Sequence, residues 1–239
     1  MPERTRSVFE SLSTESLMSD FALIGGTALS IQIGHRLSQD LDFWLSGDRL
    51  SKPKVDAILK NLAAKGHRHE LVTPAWQISQ AKINGTDLLA QSRDHVIDGV
   101  KVTFFARNDA PYQHFSEMSR VGEEGVAFAV MHKDAIFDMK AWLISQRVRS
   151  RDLFDLMVFV RNHGKTIRDI LEAGMAADPT FQREYAKEVL VGNVPVDRDD
   201  EGFASIGLNM DLPSIHAFFL DRVNQYEVRV ATAIYRETL

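Results

Sequence analysis

Leu23-Ile-Gly-Gly-Thr-Ala-Leu29, followed after five residues by His35-Arg-Leu-Ser-Gln-Asp-Leu-Asp-Phe43, decides how this chain is read. The apolar run 21–24 has the composition of a short buried strand. Gly25-Gly26 suits a tight turn with no Cβ in the way, and Thr27 is placed to cap a helix running to about residue 34. A second strand should then carry Asp40 and Asp42. Successive strand side chains alternate faces, so these two acids project together while Leu41 and Phe43 point to the apolar side. Paired hard carboxylates suit Mg²⁺, which takes one or two protein carboxylates and completes its shell with water and phosphate oxygens. The glycine turn at a helix start offers backbone N–H groups and a positive dipole end to an anion. Together these elements predict a metal–triphosphate site.

Composition narrows the class. At 239 residues the chain can bury a substantial core, and no apolar run approaches the ~20 residues of a membrane span. The N-terminal Met1-Pro-Glu-Arg-Thr-Arg6 does not read as a secretory signal, so a cytoplasmic location is expected. With no cysteine, disulfides, thiolate metal sites and cysteine nucleophiles are excluded. A net charge of −5 argues against a surface built wholly to coat nucleic acid and leaves room for a local basic groove.

Further along, residues 5–18 and 52–65 read as amphipathic helices, the second opened by Ser51-Lys-Pro53 and lined by Val55, Ile58, Leu59 and Leu62. Segments 70–73, 76–79, 87–90 and 100–106 read as strands of a small mixed sheet, separated by Pro74, Gly85 and Gly99. His67 and His69 alternate in a strand pattern, but no further histidine or acid makes them a metal site. From about residue 133 the pattern turns helical over 134–163, with a candidate interruption near Val148-Arg-Ser150, and over 166–177, 179–190 and 212–237. The acidic stretch 192–210 reads as an exposed connection. These patterns predict an α/β (α+β) fold with two parts, 1–110 and 111–239.

A second constellation lies in Lys140-Ala-Trp-Leu-Ile-Ser-Gln-Arg-Val-Arg-Ser-Arg-Asp-Leu-Phe-Asp155. On a continuous helix Lys140, Arg147, Arg151 and Asp155 fall in one stripe. The plain alternative is a solvated face, with Arg151 and Asp155 as an ordinary i, i+4 pair of about 0.2–0.5 kcal/mol.

Gly-Gly-Thr-Ala-Leu, five residues, then His-Arg-x-Ser-x-Asp-Leu-Asp-Phe resembles the signature of the AbiEii/AbiGii toxin family, within the polymerase-beta-like nucleotidyltransferase superfamily. The downstream lysine and Arg-Asp-x-x-Asp run resemble that family's second motif. The resemblance covers about residues 20–160.

It implies a polymerase-beta-like core and transfer of a nucleoside monophosphate from an NTP, with pyrophosphate leaving. It assigns Asp40 and Asp42 to Mg²⁺, or Mn²⁺ in its place, and Gly25, Gly26 and Thr27 to the β/γ-phosphates. His35 and Arg36 are further phosphate candidates, with Ser38 ordering the loop. Lys140 is implied to bind triphosphate, Arg147 and Arg151 to assist, and Asp152, with Asp155 in support, to complete the site. The superfamily's third acid is expected at Thr103, which leaves the base to Asp152 or a metal-bound water. The resemblance further implies an acceptor that is RNA (tRNA) or protein, and a cognate antitoxin. Competing readings are a nucleotidyltransferase for a small molecule such as an aminoglycoside, a non-catalytic nucleotide- or RNA-binding relative, and an interaction module whose motifs are only turns and caps.

Overall fold

The computed structural model describes residues 1–118, 120–121, 125–203, 208 and 210–237, so parts of the segment just after the expected boundary at 110 and of the 192–210 connection lie outside the described residues. The chain divides into two units, Met1–Ile136 and Phe137–Leu239.

The first unit opens with α1 (Glu3–Ser13), which buries Val8 and Leu12, and a 3-10 turn at Ser16–Asp20. β1 (Phe21–Ile24) is buried throughout and leads directly into α2 (Gly25–Ile33). β2 (Leu41–Ser46) is followed by α3 (Lys52–Ala64), capped by the Ser51 hydroxyl accepting from the Lys54 N–H and burying Val55, Ile58, Leu59 and Leu62. Then come β3 (His69–Leu71), α4 (Ala75–Ile83), α5 (Leu88–Gln91), β4 (Ser92–Ile97), β5 (Val100–Arg107), α6 (Ala110–Glu117), β6 (Arg120–Val121) and β7 (Ala129–Met131).

Among the described residues the seven strands form one mixed sheet in the order β3-β4-β5-β2-β1-β7-β6. β2 sits at its middle, antiparallel to β1 and parallel to β5. This central strand is anchored by its apolar alternation: Leu41 and Phe43 are fully buried, each worth about 1.5–3 kcal/mol. Phe43 stacks on Phe104 and meets Phe128 edge-on at 4.9 Å. On the opposite face α6 covers Trp44 through Tyr112, whereas Asp42 two residues earlier stays half-exposed. Because β7 pairs with β1, the sheet continues past residue 110.

Two expected strands are helices. Residues 76–79 lie in α4, whose Trp76 and Ile83 are 70% and 78% exposed, so their apolar character is not spent on a sheet. Residues 88–90 begin α5, where the Asp87 carboxylate accepts the Ala90 N–H and so starts a helix. The true strand nearby, β4, has an inverted alternation: its inward residues are Arg93, His95 and Ile97. Arg93 is held there by Asp56 at 3.0 Å and the Leu89 carbonyl.

His95 is 4% exposed, and neither ring nitrogen has a hydrogen-bond partner. Burial, then the charges of Arg93 and His69, hold its pKa below the ordinary histidine value. The unfolded chain therefore takes up a proton that the folded chain refuses. Stability should be complete above about pH 6.5 and fall as pH drops below it towards the depressed folded value. His95→Leu is expected to flatten this decline without loss at neutral pH, since it removes two unsatisfied polar atoms. Denaturant titrations from neutral to acidic pH check this, and an unchanged pH slope in the variant would contradict it.

The second unit contains most of α7 (Lys133–Leu143), then α8 (Ser150–Asn162), α9 (Ile167–Ala177), α10 (Arg183–Val191) and α11 (Leu212–Glu237). Thr166 and Asp169 form a reciprocal capping box on α9. Gly192, with φ +88, ends α10 in the left-handed conformation. Among the described residues, no helix is long and apolar enough to cross a membrane.

Candidate active site

In the first unit the expected glycine turn is the first turn of α2 itself. Ile24 occupies the N-cap position and its apolar side chain cannot cap, so Thr27 is not the cap. The leading N–H groups of a helix have no intrahelical acceptors, which leaves Gly25 and Gly26 presenting backbone donors. Gly25 adopts φ +71, and a Cβ there would lie 3.0 Å from Asp42 Oδ2. A Cβ on Gly26 would lie 2.6 Å from Arg36 Nη2 and 3.0 Å from Ser38 Oγ. The absence of side chains thus lets a carboxylate, a guanidinium and a hydroxyl converge on one helix start.

Thr27, 2% exposed, points away from solvent: its hydroxyl bonds the Asp40 carbonyl and lies 2.8 Å from the Ser38 hydroxyl. It ties the loop 38–40 to α2 and thereby sets where the two acids emerge. Ser30 reinforces the same loop by donating to the Arg36 carbonyl at 2.7 Å. Asp40 precedes β2 and Asp42 lies on it; both are half-exposed, as is His35.

Across the sheet, Asp42, Thr103 and Asp94 are consecutive partners on β2, β5 and β4 and share the half-exposed face. The Thr103 hydroxyl donates to Asp94 Oδ1 at 2.9 Å. The acid sought at 103 is therefore replaced by a threonine bonded to an acid one strand further on. Sequence reading passed over Asp94 because β4 itself was not seen.

Gly26→Ala tests the convergence. The Cβ meets the far end of a flexible arginine, so the fold should persist while Arg36 is displaced. The KM for NTP is expected to rise about tenfold, ~1.4 kcal/mol. Gly25→Ala should add a folding cost of about 1–2 kcal/mol from its left-handed backbone. An unchanged KM in Gly26→Ala would contradict the arrangement.

In the second unit the helix expected over 134–163 is interrupted between α7 and α8, where the candidate break near Val148-Arg-Ser150 lies, so the single continuous stripe does not form. The N–H groups of Ser145 and Gln146 return to the carbonyls of Trp142 and Leu143 in tight turns, and α8 starts afresh at Ser150. The break brings Lys140 against α8: its ammonium lies 2.6 Å from Asp152 Oδ1 and 2.8 Å from Asp155 Oδ2. All three side chains are at least nine-tenths buried. Arg147 in the connection adds two contacts to Asp152 Oδ2, at 3.0 and 3.1 Å. Burial alone would raise the Asp152 pKa, but the charges of Lys140 and then Arg147 outweigh it and hold the carboxyl below its usual range.

Arg151 binds Glu201 at 2.7 Å and the Gly202 carbonyl, while Arg149 binds Asp197 and Asp199. Asp200 accepts the Ser150 N–H at 3.1 Å and so caps α8 from 50 residues away. The acidic stretch read as an exposed connection is, over 197–201, the counter-charge of the arginine run and the clasp on the start of α8.

Comparisons place these features in a family. The family model described as Nucleotidyl transferase AbiEii toxin, Type IV TA system, matches residues 6–226. The uncharacterized protein aq_aa25 of Aquifex aeolicus (strain VF5) is 30% identical over 173 residues, which cover 71% of this chain and 72% of that protein. A crystal structure of a candidate nucleotidyltransferase from H. pylori aligns with a TM-score of 0.53 at 15% identity, over 98% of this chain and 99% of its own. JHP933 from Helicobacter pylori aligns at 0.51 and 15%, over 99% of each chain, and at this identity both show a shared fold. The match over 6–226 takes in the glycine turn, the paired acids and the lysine–aspartate cluster alike, and the chain belongs to the AbiEii family of nucleotidyltransferase toxins.

Proposed function

We propose that this nucleotidyltransferase holds a Mg²⁺–NTP complex at the start of α2 and transfers the nucleoside monophosphate to an RNA acceptor. The observation that carries this reading is the convergence of the Asp42 carboxylate, the Arg36 guanidinium and the Ser38 hydroxyl on the side-chain-free Gly25-Gly26 turn. Phosphate oxygens would take the backbone N–H groups of that turn together with Arg36.

The donor set fits Mg²⁺. Asp40 and Asp42 are half-exposed hard oxygen ligands, and among the described residues no group of three or more His, Cys, Asp or Glu is placed to hold a metal alone. Two carboxylates with substrate phosphate oxygens and water are the set this ion accepts. Bound there, Mg²⁺ or Mn²⁺ would neutralise charge on the triphosphate.

The chain's own residues do the positioning. Thr27 and Ser38 fix the acid-bearing loop, and Arg36 orients the phosphates for in-line attack of an acceptor hydroxyl on the α-phosphorus. The oxygen–phosphorus bond to the acceptor forms as the bond to pyrophosphate breaks. Lys140 and Asp152 are assigned to this reaction on motif order and chemistry: the lysine offsets charge on the departing pyrophosphate, and the aspartate, held ionised, takes the acceptor proton. Arg147 and Asp155 hold both in place. The antitoxin relationship of the family makes a cognate antitoxin the expected protein partner.

The test follows label from each of the four NTPs, radioactive at the α-phosphate, into RNA, protein and small-molecule fractions of a cell extract. Label in RNA is expected. Label confined to protein or to a small product would overturn the acceptor assignment.

A further inference from the structure

α8 carries the acid pair near its start and, about 7.5 Å further along its axis, the wall of a cavity at Val160. This cavity, of about 560 Å³, lies between α8, the start of α9 and one face of α11. Among the described residues its charged lining is entirely cationic: Lys165, Arg168, Arg222 and Arg229 contribute, and no aspartate or glutamate does. On α11 the spacing 222, 226, 229 puts Arg222, Tyr226 and Arg229 on one side, with the tyrosine between two arginines about 10.5 Å apart along the axis.

The counter-ions of Arg168 and Arg222 are weakly committed. Arg168 pairs with Glu172 at 2.6 Å and Arg222 with Asp221, and both acids are more than half exposed. Surface pairs of this kind contribute little and exchange readily for phosphate. The Lys165 ammonium sits 4.6 Å over the Phe137 ring, and Arg229 is exposed with no ion pair among the described residues. In a chain of net charge −5, four cations around one cavity that no described acid lines are a local electrostatic footprint.

Cations that track a backbone, with an aromatic ring set among them, are what single-stranded nucleic acid requires: arginines for phosphodiesters and a ring for base stacking. The volume lies in the range that accepts one nucleotide-sized group. We propose that this cavity docks a single-stranded segment of the acceptor RNA, one base stacking on Tyr226 and the flanking phosphates meeting Arg222 and Arg229. The inference rests on the reading that the acceptor is RNA.

The experiment measures anisotropy of a fluorescent single-stranded RNA oligonucleotide with the full chain, Arg229→Glu and Tyr226→Ala, between about 50 and 200 mM salt. Label transfer to RNA is followed in parallel, and circular dichroism checks each fold. Arg229→Glu should weaken binding about tenfold or more and lower the slope of log affinity against log salt by about one. Tyr226→Ala should weaken binding about tenfold with the slope unchanged. Equal binding and equal slopes in all three proteins, with RNA still labelled, would overturn the cavity assignment and leave the RNA acceptor standing. An intact chain that neither binds nor labels RNA would overturn the acceptor reading itself. Variants that bind RNA normally but lose an acidic protein partner would assign the cavity to that partner and overturn the proposal.

Discussion

Lys140→Met should destabilise the protein by about 3–5 kcal/mol, because it leaves Asp152 and Asp155 buried without their shared cation. At about 3 °C per kcal/mol for a chain of this size, the melting temperature should fall by about 10 °C or more. Arg147 can answer only part of the loss, since it reaches Asp152 and its own side chain is 46% exposed. The triple variant Lys140→Met, Asp152→Asn, Asp155→Asn removes all three charges at nearly constant volume and should recover much of the stability. Neither variant should transfer nucleotide. Thermal melts of both proteins check the coupling, and a single variant as stable as the intact chain would show that the cluster is not held by its charges.

Asp42→Asn is expected to leave the fold intact and to lower kcat/KM for nucleotidyl transfer by on the order of a thousandfold, about 4 kcal/mol of transition-state stabilisation. The side chain is half-exposed, and β2 is anchored by Leu41, Phe43 and Trp44 rather than by the acid, so folding has little stake in it. The amide keeps the shape and the distance to Gly25 while removing the charge that a metal–triphosphate complex needs. Steady-state kinetics with a circular dichroism control check this. A folded variant within tenfold of the intact chain would remove Asp42 from the site.

The contrast between these two variants follows from what each motif is made of, and so does its legibility. Phe21–Ile24, the two glycines and the alternation at 40–43 are local signals: four apolar residues, two missing side chains and a period of two. They predict β1, α2 and β2 without knowledge of anything distant. The N-cap was misplaced onto Thr27 because a buried threonine reaching the Asp40 carbonyl looks, in sequence, like one capping its own helix.

The break between α7 and α8 is legible in part, as the candidate interruption near Val148-Arg-Ser150, but its full extent is not. Leu143, Ile144 and Val148 continue the apolar pattern across the connection, so the end of α7 at Leu143 has no local signal. β4 was invisible because Arg93 and His95 occupy its inward positions, and only a tertiary partner such as Asp56 makes that arrangement tolerable. The acidic residues 197–201 read as solvated because nothing local shows that Arg149, Ser150 and Arg151 await them. Signals carried by one segment were readable, whereas those completed by a residue tens of positions away were not.

The most direct test of the account weighs the products. With intact protein, NTP, Mg²⁺ and RNA, the acceptor should gain one nucleoside monophosphate by mass for each pyrophosphate released, and folded Asp42→Asn should do neither. Release of inorganic phosphate in place of pyrophosphate, or the same mass gain from the Asp42 variant, would contradict nucleotidyl transfer at the glycine turn of α2.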